Sequence, residues 1–391
     1  MAESGWQRAT GERAEAMLLY LIFAGTGVGM ALPGAVLPTL MRQWSLEDSG
    51  AGWLFFLAWL GSSMGALAAG RYRRTVVAAG CALVGMALAG IAYGPAELRF
   101  VEMFVYGLGL GGAMTAISLT QAARHAEECA SEMNRLNMIW AAGAVATPAL
   151  AAHSLRVASA QQICAGMAGV FLVWAGVVTM TAGSGGPRTT QVTPLRKKMG
   201  NPLRLWPLTL VLLAFLPTGI ESTMGGWVAE YARREQQSIA TAVMAGSLFW
   251  GGILASRALG ATRYLRWRTE RGLLVQSAWT VVAGLVLLVA APVQAGILCG
   301  NALVGFGLGP VYPLALALGL RRREHPGIFW VAGVGSATLP WATGLASTAS
   351  GSLRVGLLVP LAAGVALLAS GVASGKFSAG IALREEMGER L

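Results

Sequence analysis

Runs of about 20 apolar residues recur from one end of this chain to the other, and that pattern constrains its fold more than any other feature. A helix crossing about 30 Å of hydrocarbon needs roughly 20 apolar residues, and its backbone must bond within itself because the bilayer offers no water. The runs fall near 17–41, 50–70, 75–94, 99–123, 135–155, 161–183, 206–231, 239–260, 272–291, 294–320, 326–350 and 354–375. The expectation is an all-α membrane protein with twelve transmembrane helices. With 391 residues, of which 12% are charged, about half the usual share, there is no room for a separate soluble domain.

The start of the chain is polar, with Glu3, Arg8, Glu12, Arg13 and Glu15, so the first apolar run is read as a retained span rather than a cleaved leader. A net charge of +11 would suggest nucleic acid in a soluble protein; here the basic residues sit between apolar runs and read as topology signals, so no nucleic-acid partner is expected. With both termini cytoplasmic, only Arg42, Arg99, Arg156, Arg233, Arg234 and Arg354 fall outside, leaving 23 of the 29 basic residues inside. That asymmetry predicts both ends on the cytoplasmic side, and the expected location is the plasma (bacterial inner) membrane.

The longest connection, around Gly183–Leu205, combines Gly-Ser-Gly-Gly-Pro with Arg196-Lys197-Lys198 at mid-chain. It divides the chain into a six-helix bundle over 1–183, a cytoplasmic linker over 184–205 and a second six-helix bundle over 206–391 that ends in a short cytoplasmic tail. Internal echoes make the halves pseudo-symmetric. Gly107-Leu108-Gly109-Leu110-Gly111 returns as Gly305-Phe306-Gly307-Leu308-Gly309, and Trp140-Ala141-Ala142-Gly143 returns as Trp330-Val331-Ala332-Gly333.

Enzymatic signatures fail on context. His125, His153 and His325 are isolated, and Cys81, Cys129, Cys164 and Cys299 have neither metal-ligand spacing nor a paired pattern, so neither a metal nor a cofactor is expected. The letters Gly107-x-Gly109-x-x-Gly112 match a dinucleotide fingerprint inside an apolar span with no preceding strand, which makes them packing glycines instead.

Glu221 is the one acid of 18 that falls at the middle of a span, where an ionised carboxylate is costly and usually faces a cavity. It is the leading candidate for binding a solute or a coupling ion, H⁺ or Na⁺. Pro217, Gly219, Gly225 and Gly226 around it predict a distorted helix that opens a polar site. Trp227, Trp140 and Trp330 offer indole faces for the C–H face of a sugar, with packing between helices as the equal alternative. Asn137 and Asn301 offer two-way amides, or interhelical glue, and Tyr312 completes the expected substrate-binding set. Thr115, Ser118 and Gln121 recur along the fourth span as weaker candidates. No Lys or Arg lies at mid-span, Arg257 and Arg124 being close enough to cytoplasmic ends to snorkel, so a neutral solute is expected rather than a phosphate or carboxylate.

The stretch Gly65-Ala66-Leu67-Ala68-Ala69-Gly70-Arg71-Tyr72-Arg73-Arg74 resembles the loop signature of the major facilitator superfamily, with Ala69 where an aspartate is usual and Tyr72 where a glycine is usual. Gly219-Ile220-Glu221-Ser222-Thr223-Met224-Gly225-Gly226-Trp227, Arg135-Leu136-Asn137, Gly309-Pro310-Val311-Tyr312-Pro313 and Leu339-Pro340-Trp341 resemble the fucose-permease-like branch of sugar:proton symporters. The resemblance implies the major facilitator fold and alternating-access transport of a monosaccharide or polyol by a monomer embedded in the lipid bilayer. The first span has no acid within Leu18–Leu40, so the proton-linked acid that such symporters carry there has no counterpart. Export of amphipathic drugs or metabolites, and a non-transporting scaffold or assembly factor, are the rival readings.

Overall fold

The computed structural model describes residues 2–69, 73–125, 129–181, 208–260, 270–312, 314 and 327–372. The expected linker 184–205, the tenth span beyond Leu314 and the C-terminal tail lie outside the described residues. The described residues are all-helical, with twelve α-helices. In order these are α1 (Ala2–Gln43), α2 (Asp48–Ala68), α3 (Arg73–Tyr93), α4 (Arg99–Arg124), α5 (Cys129–Ser154) and α6 (Ala160–Thr181). They are followed by α7 (Leu208–Arg234), α8 (Ile239–Gly260), α9 (Glu270–Ala290), α10 (Gln294–Leu308), α11 (Gly327–Ser350) and α12 (Leu353–Val372).

Eight of these are long and apolar enough to cross a bilayer among the described residues. The described part of α10 is apolar but shorter, while α5, α7 and α11 are diluted by the polar residues and prolines that matter below. The outward faces are oily: Met17, Met86, Val173 and Met180 are more than half exposed. Exposed large apolar side chains at this density fit a lipid solvent, not water.

The chain forms two compact units, one of Met1–Val36 with Leu57–Leu195 and the other of Leu37–Phe56 with Arg196–Leu391. In the first, α4 packs against α2 and α3 through glycines too close to a neighbouring backbone for any side chain. A Cβ on Gly107 would stand 1.8 Å from the Ala58 carbonyl oxygen of α2, one on Gly111 2.0 Å from that of Ser62, and one on Gly109 2.5 Å from that of Gly80 on α3. The second unit repeats the arrangement by itself. A Cβ on Gly305 would meet Phe249 O of α8 at 2.0 Å, one on Gly309 Ser256 Oγ at 1.8 Å, and one on Gly307 Ser277 O of α9 at 2.7 Å. The glycine echo is thus a packing device used twice, with small residues letting helices approach where dispersion must replace the hydrophobic drive.

The tryptophan echo is out of register by two. Gly143 of α5 lies against Ala24 O of α1 (2.3 Å to a Cβ), and its equivalent on α11 is Gly335, against Phe215 O of α7 (2.1 Å), rather than Gly333. The repeat extends to helix ends. Ser45 after α1 and Gln236 after α7 both take the left-handed conformation, φ 47° and 55°, and both ends close with the long Schellman bond, Leu46 N–H to Met41 O at 2.9 Å and Gln237 N–H to Ala232 O at 3.0 Å. Neither residue is glycine, so this signal is absent from the letters of the sequence.

In the first unit, Glu15 of α1 pairs with Arg124 of α4 at 2.8 Å and Arg74 of α3 at 3.7 Å. Arg74 also donates to Thr181 of α6. With Ala69 at the usual aspartate position, a carboxylate from α1 holds these arginines instead.

Candidate functional site

Among the described residues three acids are buried, unlike the half-buried Glu221, and each is matched. Glu132 of α5, 4% exposed, accepts from the Tyr20 hydroxyl of α1 and lies 3.6 Å from Arg135. Asp48 and Glu230, 5% and 1% exposed, share Arg234: its guanidinium grips both Asp48 oxygens and its Nε donates to Glu230 Oε1 at 2.7 Å. Arg233 adds a bidentate grip on Glu230, and Ser347 of α11 donates to Asp48. Burial alone therefore does not single out Glu221.

What distinguishes Glu221 is its lack of saturation. Its side chain is 19% exposed, and among the described residues no group hydrogen-bonds its carboxylate. Arg257 of α8, 12% exposed, stands 3.8 Å away, too far for a hydrogen bond, while its Nε donates to Gly309 O at 3.3 Å. Tyr312, just past α10, is close enough to interact electrostatically with both. Three elements of the second unit thus converge on an acceptor pair and several free N–H donors. Arg257 does not snorkel to the cytoplasm as expected, and the ground for excluding anionic solutes, a site without a cation, goes with that expectation. Arg257 was legible only as a cation near a span end; its direction is a matter of packing.

The helix around Glu221 is not broken. α7 runs unbroken from Leu208 to Arg234 with Pro217 inside it. Its glycines serve close approach: a Cβ on Gly219 would meet Gly335 O at 2.8 Å, one on Gly225 the Trp250 ring at 2.7 Å and one on Gly226 the Phe55 ring at 2.7 Å. Hydroxyls bind α7 to α11, Thr218 donating to Ala332 O at 2.8 Å and Ser222 to Ser336 O at 2.8 Å. Ser336 O is the carbonyl that Pro340, lacking an N–H, leaves free, so Ser222 repairs the proline defect of the neighbouring helix. The polar site comes from unpaired side chains, not from freed backbone.

The other expected site residues separate. Trp227 is fully buried, with Nε1 donating to Pro340 O at 3.1 Å and its ring edge-on to Phe55, so it packs the second unit. Asn301 is also fully buried and donates to Ile297 O of its own helix at 2.8 Å, while its Oδ1 has no partner among the described residues. Trp330 is 40% exposed. Asn137 and Trp140 belong to the first unit, the one exposed and the other 7% exposed. Glu221 and Tyr312 are the two expected residues that converge, with Arg257 as the member sequence reasoning missed.

The fold is that of a multi-pass, all-helical membrane protein. Over most of its length the chain superposes on solved transporters of low sequence identity. A mutant of the nucleoside transporter NupG gives a TM-score of 0.70 at 9% identity, covering 92% of this chain and 99% of that one. A bacterial homologue of the human drug peptide transporters gives 0.69 at 13%, covering 95% and 98%, and a D-xylose-proton symporter 0.63 at 14%, covering 90% and 96%. A search of curated proteins finds no match. The family model of the Major Facilitator Superfamily matches residues 18–329, and the chain belongs to that superfamily of secondary transporters, not to an enzyme family.

Proposed function

We propose that this protein carries a small polar solute bound at Glu221 and Arg257, and that Glu221 couples its movement to H⁺ during alternating access. The observation that carries this reading is the unsaturated pair: a carboxylate with no hydrogen bond among the described residues, 3.8 Å from a guanidinium with free donors. At that separation the attraction is about 4 kcal/mol for an effective dielectric of about 20. A proton on Glu221 abolishes it, so protonation and the state of the site are linked. Na⁺ suits the site less well, because the nearest charged neighbour of the carboxylate is a cation.

A monosaccharide or polyol, the class implied by resemblance to the fucose-permease-like branch, can use both groups, since hydroxyls donate to Glu221 and accept from Arg257. The moving bodies are the six-helix bundles 1–183 and 206–391 joined by the linker 184–205. The carrier works as a monomer in the plasma (bacterial inner) membrane with both termini cytoplasmic.

Transport into proteoliposomes by wild type and Glu221→Gln tests the coupling. The variant should lose gradient-driven accumulation and keep solute exchange, because exchange does not require the coupling proton to leave. Accumulation at the wild-type level by Glu221→Gln under an imposed pH gradient refutes the role.

A further inference from the structure

The charge of the coupled solute follows from the charge balance of the site, given the reading above that Glu221 carries the coupling proton. Arg257 is the only charged residue of α8. α10 supplies Tyr312 just beyond its end and the exposed thiol Cys299, and the described part of α11 has no titratable residue. On α7 the next charge is Glu230, nine positions on, which Arg233 and Arg234 already match together with Asp48 of α2. Arg354 of α12 donates instead to Val289 O at 2.6 Å. Within the described residues, Glu221 and Arg257 therefore balance only each other.

With Glu221 ionised, the pair carries no net charge. With Glu221 protonated, a guanidinium 12% exposed is left, among the described residues, with one carbonyl hydrogen bond and no counter-ion. A cation in that position is unfavourable unless an anion joins it. We infer that the solute this site couples to H⁺ is a small organic monoanion, whose carboxylate takes over beside Arg257 the charge that protonated Glu221 gives up. The planar fork of the guanidinium, with only its Nε committed to Gly309 O, suits two parallel N–H···O bonds to a carboxylate. Protonated Glu221 becomes a donor to a second acceptor on the same solute. The empty site (Glu221⁻, Arg257⁺) and the loaded site (neutral Glu221, Arg257⁺, solute⁻) then both have zero net charge, so both can reorient without moving charge across the bilayer. A dianion leaves the loaded site negative, and a neutral polyol leaves it positive.

Two measurements test this. In proteoliposomes, gluconate should accumulate about tenfold per imposed pH unit, the limit for one H⁺ per anion, with no response to a potassium–valinomycin potential and none in protein-free liposomes. Proton-driven accumulation of sorbitol or another neutral polyol that responds to that potential leaves Glu221 coupling standing and overturns the monoanion. A Glu221→Gln variant that accumulates gluconate as wild type does overturns the coupling reading itself. On purified protein, Glu221→Gln, which fixes the neutral form, should bind small monocarboxylates such as gluconate or lactate at least tenfold more tightly than wild type at pH 8, and Arg257→Gln should bind them at least tenfold more weakly. A panel in which Glu221→Gln binds no monocarboxylate better than wild type does overturns the inference whatever the transport result.

Discussion

The buried ionic cluster of Asp48, Glu230, Arg233 and Arg234 allows a quantitative test of the second unit. Two carboxylates, 5% and 1% exposed, face two guanidiniums, 30% and 44% exposed, so the net charge is zero and the acids depend on the arginines. Arg234→Met leaves Glu230 with the bidentate grip of Arg233 but strips Asp48 of all but the Ser347 hydroxyl. Stranding a buried charge costs 3–5 kcal/mol; because Arg234 itself is partly solvated, the expected loss is about 3 kcal/mol. Asp48→Asn is milder, about 1 kcal/mol, since Arg234 keeps Glu230 and reaches water. If the effects were independent, the double variant would lose about 4 kcal/mol. Instead, removing both partners leaves Glu230 and Arg233 balanced with no stranded charge, and the double variant should lose only about 1–2 kcal/mol. Reversible unfolding in mixed detergent micelles measures all three. A double variant as unstable as the sum of the singles refutes the reasoning.

Gly107→Ala and Gly305→Ala should each destabilise strongly, because the new Cβ would lie 1.8 and 2.0 Å from a facing carbonyl oxygen; Gly169→Ala on α6, where nothing lies within 4 Å, should be neutral or up to about 1 kcal/mol stabilising by propensity, and equal effects at all three in a thermal-shift assay would refute the close packing. Gln121 is fully buried with neither amide atom hydrogen-bonded among the described residues, so Gln121→Met should raise the unfolding free energy by about 1–2 kcal/mol; a clear loss would mean that the amide has a partner. Ser222→Ala should cost about 1–2 kcal/mol by orphaning Ser336 O next to Pro340, checked by the same unfolding titration. Single-cysteine labelling should find position 197 on the cytoplasmic face and position 233 on the other, and finding both on one face would overturn the expected topology.

The spans and the doubled architecture were legible in the sequence because both are one-dimensional properties. Hydrophobic length decides what can cross a bilayer, and a glycine spaced to admit a neighbouring backbone must recur wherever the packing recurs, as Gly107-x-Gly109-x-Gly111 does at Gly305-x-Gly307-x-Gly309. Glu221 was legible too, since a mid-span acid is expensive enough to need a reason. Its neighbours were not. Trp227 and Asn301 carry the chemistry expected of a binding site, yet packing turns one into a buried brace on Pro340 and folds the other back on its own helix. Arg257, near the end of α8, could equally have snorkelled to water, because a long side chain chooses its direction only once the helices beside it are in place. The approach of α8 and α10 to α7 turns Arg257 toward Glu221, and that contact between a cation and an acid 36 positions apart is one that no single stretch of sequence contains.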